Sequence, residues 1–530
     1  MPTDFITYQN SGYFSTLMND YLDQNEQLES LYNRFPTLEN FEKQILEKQE
    51  NFNGNEKRKT LVSVLEKQYT TIETSDLTTN NIKLLNNSNT FTVTTGHQLN
   101  LFSGPLYFLY KIISTINLTK ELKAKYPTYD FVPIYWMATE DHDFEEINYF
   151  NFKGKKFRWN IENSGPVGRI STDGLADLFE LFALEMGSST NAKALKKLFE
   201  DSYINHTNLA DATRYLANSL FGEYGLVILD ADNRDLKRSF IPYVKEELLH
   251  QTSYKTVVET AEKLKDYTIQ VNPREINLFY IENNIRERII LENEKYRVNN
   301  TKIEFTETEI LELLENNPEK LSPNVIMRPL YQEVILPNLC YIGGGGEIAY
   351  WLELKSFFAS AKVAFPILLL RNSALLATQK QAEKANKLGL SWAELFSKQT
   401  DLVTNKTQQL SEFPIDLSNL KEQLQKQFEL LFETANHTDK SFAGAVKAQN
   451  AKQNKGLENL EKRLLKAQKR KFSEILQRIT NLQNELFPNQ SLQERQTNFS
   501  EFYIEYGESF IQKAINKLQP LESMFEVILL

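Results

Sequence analysis

The spacing of apolar positions along this 530-residue chain changes three times, and the changes divide it. Up to about residue 85 the pattern is helical and polar. Apolar positions within residues 14–22 and 61–69 recur at steps of three and four, and residues 51–57 read as a loop between them. From about residue 86 short buried runs take over. Residues 90–95 are a β-branched run ending in Gly96, and residues 131–138 are a second apolar run. Between them a polar turn and Ser103-Gly104-Pro105 lead into a helical stretch, 106–125, for which Ser103 is the expected cap. Strand, turn, helix, strand is a βαβ unit, the element of a parallel sheet. Further strands are expected at 226–230 and 364–370, so residues 86–375 read as one doubly wound core. Segments of about 150–220 and 235–320 are read as inserted into it.

After about residue 375 the apolar spacing becomes that of a coiled coil. Leu417, Leu420, Leu424, Phe428 and Leu431 make one run. Leu457, Leu460, Leu464 and Ala467 make another, resuming after a one-residue skip at Phe472, Ile475, Ile479, Leu482 and Leu486. The seam predicts two long antiparallel helices around a polar turn at 436–441, within an arm spanning 376–515. Residues 516–530 are expected to end in a strand, 525–530, that returns to the core.

Composition narrows the function classes. About two fifths of the residues are hydrophobic, enough to build large packed cores. The net charge of -10 argues against nucleic acid or an anionic membrane as partner. The basic stretch from Lys447 to Lys471 is read as the solvated face of the coiled coil. The single cysteine, Cys340, excludes a disulfide framework within one chain, and its apolar neighbours make it a core residue. The first ten residues carry no basic and apolar leader pattern, and the apolar runs are shorter than a membrane span. A soluble, cytoplasmic protein is expected.

Three stretches carry candidate chemistry. Gly96, His97 and Gln98, with Ser103 and Gly104, lie where a strand hands over to a helix, the place where open α/β sheets bind ligands. Glu140, Asp141, His142 and Asp143 follow the second buried run, and four ionisable groups there must be solvated, paired or used. Carboxylates beside an imidazole suit a general base, and hard oxygens suit a divalent ion, though no metal site is assigned. The third is residues 322–351, in which Gly344, Gly345 and Gly346 precede Glu347 and a helix, with Arg328, Gln332 and Tyr350 near in sequence. A glycine loop entering a helix can cradle an anion, but no Walker lysine follows. His206, His250 and His437 are read as surface or structural.

The segments GHQLNLFSGPLYFLYK (96–111), EDHDFEEIN (140–148), MRPLYQE (327–333), YIGGGGEIAYW (341–351) and PILLLRNS (366–373) resemble the bacillithiol biosynthesis cysteine-adding enzymes over essentially the whole chain. The resemblance implies an α/β, Rossmann-like parallel-sheet core related to class I nucleotidyltransferases, with insertions, and a C-terminal α-helical coiled coil that forms a homodimer. It implies a ligase that adds cysteine to glucosaminyl-malate through an amide bond. Such a bond needs an activated carboxyl group, so ATP or ADP with magnesium is expected, and no tightly bound cofactor. On this reading His142, held by Asp141 or Asp143, takes the amine proton, and Glu140 orients an amine or a metal. Lys111 reaches an anion, Arg328 and Arg371 clamp carboxylates, and Tyr350 packs on the sugar. The His-x-Gly-His and Lys-Met-Ser-Lys-Ser signatures of class I adenylating enzymes are absent. That leaves two alternatives: a scaffold binding nucleotide or thiol precursor without catalysis, and an RNA-dependent ligase.

Overall fold

The computed structural model describes residues 6–52 and 55–530. Part of the N-terminal stretch searched for a leader therefore lies outside the described residues, as do two positions of the loop read at 51–57. On either side of those two, helices Leu38–Asn51 and Asn55–Gln68 end and begin. The described residues form two compact units: residues 6–376 together with 492–528, and residues 377–491.

The first unit is built on five parallel strands, numbered here β1 (Thr90–His97), β2 (Asp130–Met137), β3 (Val227–Asp230), β4 (Asn338–Gly343) and β5 (Ile367–Leu370). Their spatial order is β5-β4-β1-β2-β3, the doubly wound arrangement. Every residue of β1, β4 and β5 is buried, which is why these runs carry no polar-apolar alternation. The chain winds one way through β1, β2 and β3, then crosses to the far side of β1 for β4 and β5. The order therefore reverses between β1 and β4. Register aligns the carboxyl ends: Thr95 lies beside Tyr135 and Ile342, His97 beside Met137, and Met137 beside Asp230.

β4 is the strand that the apolar pattern alone does not announce. It opens on Asn338, a fully buried amide that is no intruder. Thr92 and Thr94 donate to its Oδ1, while its Nδ2 donates to Glu333, itself paired with buried Lys48 at 3.0 Å. A satisfied polar network thus ties β1, β4 and the N-terminal helices together. Cys340 is buried beside Phe91, Val93 and Ile342 in the sheet core, as expected of it, and burial pushes its thiol well up.

Helix α1 (Tyr107–Lys125) connects β1 to β2, and helix α2 (Gly345–Leu352) follows β4. Ser103 does not cap it: the residue before the helix is Leu106, whose N–H donates to Thr497 O at 2.9 Å, and Ser103 Oγ is buried and unpartnered among the described residues. Phe102, Ser103 and Gly104 all have positive φ, and Asn498 Nδ2 holds this turn by donating to Phe102 O and Gly104 O. A Cβ at Gly104 would stand 2.7 Å from that of Asn100, so only glycine fits.

The two inserted segments differ. The first carries the hairpin Tyr149–Phe152/Lys155–Arg158 and a set of helices. The second carries an antiparallel five-stranded sheet with Leu278–Glu282 and Ile285–Glu292 near its centre. The chain's end does return to this unit. Met524–Leu529 pairs antiparallel with Ile6–Thr7 in a three-stranded sheet with Ser373–Ala377. The return starts at residue 492, earlier than the expected 515, because Gln493 and Glu494 bond to residues 371–376.

The second unit holds helices α3 (Ser418–Ala435), α4 (Lys440–Lys471) and α5 (Ser473–Leu486). α3 and α4 run antiparallel around a turn at 436–439, and the skip at Phe472 is the break between α4 and α5. The α3–α4 seam is shifted from the heptad reading. Leu424, Phe428, Phe432 and Ala435 pack with Ala443 and Val446, leaving Leu420, Leu431 and Leu460 exposed. Below Phe428 the α3 stripe continues at a four-residue step rather than the three that Leu431 required. None of the described helices is long and apolar enough to cross a membrane.

Candidate functional site

A cavity of about 620 Å³ opens at the carboxyl ends of β1, β2 and β4, where the strand order reverses. Gly96, His97 and Gln98 form one wall and Thr139 to Asp143 a second. A third is made by Arg328, Tyr341, Glu347 and Tyr350, and a fourth, from the inserted sheet and the strap before it, by Asn272, Arg274, Phe279, Arg286 and Arg288.

The acidic wall is organised by two cations that sequence spacing did not link to it. Glu140 is paired at 2.5 Å with buried Lys237, which also approaches Asp232 at 3.5 Å. Burial, with Asp232 nearby, pushes the Glu140 carboxyl up against the pull of Lys237. Glu140 is thus a structural partner, not a free group for a substrate amine. Asp141 accepts from the His142 backbone N–H at 2.7 Å and from Gln98 Nε2 at 3.0 Å. Burial alone would raise its carboxyl, but its hydrogen bonds to His142 and Gln98 outweigh that and hold it well below the usual range.

His142 departs from the expected base. Its Nδ1 lies 2.7 Å from Arg286 Nη1, and a guanidinium can only donate, so Nδ1 accepts and the proton sits on Nε2. Nε2 faces Asp143 at 4.0 Å. The ring's lone pair is therefore occupied, and the carboxylate left to accept a proton is Asp143. Its carboxyl is raised, by burial and then by Asp141. Asp141, His142 and Asp143 bring one ligand atom each within 4.8 Å of one another, but Arg286 on Nδ1 removes the imidazole as a ligand.

On the opposite wall Lys111 pairs with Glu347 at 2.6 Å and donates to Gly96 O, so it fastens β1 to helix α2 (Gly345–Leu352) rather than reaching for an anion. Glu347 also accepts from the Gly344 N–H at 2.8 Å and from Tyr341 Oη at 2.7 Å. Burial would raise its carboxyl; Lys111 and these donors prevail and lower it. The glycine loop is consequently no anion cradle. Its first free amide is taken, and Gly344, Gly345 and Gly346 do not line the cavity: Gly345 abuts Met18, and Gly346 faces Gln270. The glycine the packing requires is Gly343, where a Cβ would meet that of Glu347 at 2.9 Å. Arg328 lines the cavity and donates to Tyr350 Oη at 3.0 Å and to Gln332 Oε1 at 3.1 Å. Gln332 stands behind it, fully buried and outside the lining.

His97 is buried against Tyr107 (ring centroids 5.3 Å apart), and burial, with Lys111 and Arg371 near, pushes its imidazole well down. It is a neutral ring with Nε2 unpartnered among the described residues. Ser103, Gly104 and Arg371 are absent from the cavity wall. Arg371 does clamp a carboxylate, that of the chain's own Glu494 at 2.7 Å. The structure thus gathers Gly96, His97, Gln98, Lys111, Glu140 to Asp143, Arg328, Glu347 and Tyr350, and leaves out Ser103, Gly104, Gln332, Gly344 to Gly346 and Arg371. The residues that sequence reasoning missed, Arg274, Arg286 and Arg288, come from the second insertion. The one signal for them was the alternation in Ile285–Glu292, which puts Arg286 and Arg288 on one face.

A parallel sheet with a polar cavity at its reversal point, joined to a helical hairpin, defines a Rossmann-like small-molecule-binding protein with a coiled-coil unit. Two family models divide the chain at almost the same place: "Bacillithiol biosynthesis BshC, N-terminal Rossmann-like domain" over residues 1–372, and "Bacillithiol biosynthesis BshC, C-terminal coiled-coil domain" over 374–530. The chain belongs to the BshC family of bacillithiol biosynthesis. It is similar to proteins named "Putative cysteine ligase BshC" from Flavobacterium johnsoniae, 70% identical over 528 residues and the full length of both chains. The relative from Flavobacterium psychrophilum is 65% identical, over all of this chain and 99% of its own. That from Christiangramia forsetii is 57% identical over the same shares.

Proposed function

We propose that this protein is a cytoplasmic cysteine ligase of bacillithiol synthesis, joining the cysteine carboxyl to the amine of glucosaminyl-malate. The observation that carries the reading is one cavity holding an ordered Gln98–Asp141–His142–Asp143 edge opposite Arg328 and Tyr350, at the reversal point of the sheet. The family and its relatives' names supply the reaction class.

Amide formation needs three things from the protein: an oriented carboxyl, an uncharged amine and dry surroundings. Arg328 offers a guanidinium edge to a carboxylate, over the faces of Trp136 and Tyr341. As the amine attacks, the Asp143 carboxylate takes its proton and the activating group departs with its carboxyl oxygen; the His142 Nε2–H stands 4.0 Å from that carboxylate, and Arg286 fixes the imidazole from its other side. A nucleotide, when bound, would supply the energy that activates the cysteine carboxyl, and the hard oxygens of Asp141 would hold magnesium accompanying it, leaving Asp143 free as the base.

Purified protein with ATP, cysteine and glucosaminyl-malate tests the reading by mass spectrometry of the product. Bacillithiol is expected with wild type and is lost by about a hundredfold or more in rate with Asp143→Asn. Unchanged turnover in that variant refutes the base; no product from wild type with any nucleotide refutes the ligase. A scaffold that binds nucleotide or thiol precursor without chemistry is the second reading, favoured by the occupied lone pair of His142. Calorimetry showing binding with no turnover selects it.

A further inference from the structure

Cations and anions on the cavity wall do not cancel pairwise. Lys111 answers Glu347, Lys237 answers Glu140 from behind, and Arg286 stands among Asp141, Asp143 and Glu140. Arg328 is held by neutral partners. Arg274 and Arg288 are left over: among the described residues neither side chain enters an ion pair or a hydrogen bond, and Arg288 Nε is buried without a partner.

Both are built into place. Arg288 is two residues from Arg286 on strand Ile285–Glu292, opposite Phe279 in register, so it faces the cavity with Arg286, while Glu287 turns to the other face and bonds Asn300. Arg274 sits on an extended strap pinned at both ends. Glu353 accepts from the Gln270 N–H at 2.7 Å and the Val271 N–H at 3.4 Å. Asn277, fully buried with Glu247 and Ser253, bonds Arg274 N–H and O. A guanidinium held over a cavity with a desolvated, unanswered Nε edge recognises an oxyanion.

We propose that Arg274 and Arg288 form a carboxylate-binding subsite on the inserted-sheet wall, which takes the dicarboxylate end of the acceptor substrate. The inference rests on the ligase reading for the identity of that substrate. Carboxylate and phosphate share this chemistry. A carboxylate is favoured because this wall is a paired strand and an extended strap, with no helix start or glycine turn among its described residues to wrap a phosphate.

Calorimetry of the full-length protein with L-malate, with uncharged malamide and with inorganic phosphate tests it. Malate is expected to bind, malamide not, and the double variant R274Q/R288Q to bind malate at least tenfold more weakly. In turnover the same variant raises KM for glucosaminyl-malate at least tenfold and leaves kcat within about threefold. R288K, which keeps the charge and loses the fork, falls between. R274Q alone, on an exposed position, supplies a folded variant in any case. Unchanged malate affinity in the double variant overturns the subsite even where ligation proceeds. Phosphate binding that the double variant loses instead overturns the carboxylate assignment. Malate binding lost in the variant, in a protein that ligates nothing, upholds the subsite and sinks the ligase reading alone.

Discussion

At the scale of single residues, the site is governed by which charges find an answer. Glu353 is the instructive case outside the reaction centre. It is buried, it takes two backbone N–H groups on one oxygen, and its other oxygen has no partner among the described residues. Burial raises its carboxyl to about 7, against those two hydrogen bonds. The folded protein therefore binds a proton that the unfolded chain has released, and the stability this gives is present below pH 4.5 and lost as pH climbs to about 7. At about 1.4 kcal/mol per pH unit, the displacement amounts to roughly 3 kcal/mol. Glu353→Gln carries no such titration. Chemical denaturation at pH 5 and pH 8 should show wild type losing about 2–3 kcal/mol more than the variant over that interval; equal losses would discard the argument. Asp143 titrates with the opposite consequence for turnover. In the proposed mechanism its carboxylate form is the working one, so kcat should fall as pH drops through a midpoint above that of an ordinary aspartate, and the fall should vanish in Asp143→Asn.

At the scale of elements, buried polar contacts decide how strands and loops meet. Arg371 and Glu494 are 5% and 1% exposed, 123 residues apart, and their pairing brings the returning segment onto the end of β5. Removing one partner strands a buried charge, which costs about 3–5 kcal/mol. Glu494→Ala should lower stability by that amount in a denaturant titration, and Lys384→Ala, an exposed pairing with Glu485, by under about 1 kcal/mol. The same contrast explains what could be read from sequence. β1, β2, β3 and β5 are continuous apolar or β-branched runs and announce themselves. β4 opens on Asn338, whose burial makes sense only once Thr92, Thr94 and Glu333 are placed around it. The cluster 140–143 was visible as chemistry, but its polarity was not. Arg286 lies 144 residues from His142, and no local pattern reveals that it fills the imidazole's lone pair. Ser103 looked like a cap because serine before proline fits a helix start, whereas Asn498 and Thr497 do the holding from the far end of the chain.

At the scale of the whole molecule, the remaining question is what covers the helical hairpin. α3 and α4 bury one another through Leu424, Phe428, Phe432, Ala435 and Val446, yet Leu420, Leu430, Leu431, Phe442 and Leu460 remain 48%, 65%, 43%, 43% and 55% exposed. An isolated hairpin does not need five large apolar side chains in water, and apolar groups repeated along two helices are the mark of helix-to-helix association. The net charge of -10 disfavours an acidic partner or an anionic surface for the whole chain, while a second copy offers the same stripe to meet this one. A homodimer through this unit follows as a proposal. Light scattering on the full-length protein should give twice the 61.6 kDa chain mass. Leu431→Glu combined with Leu460→Glu, which places like charges along the stripe, should return the monomer without lowering the melting temperature of the Rossmann-like unit. A wild-type monomer at tens of micromolar, or a dimer untouched by both substitutions, would end the proposal, and the exposed leucines would then need another occupant.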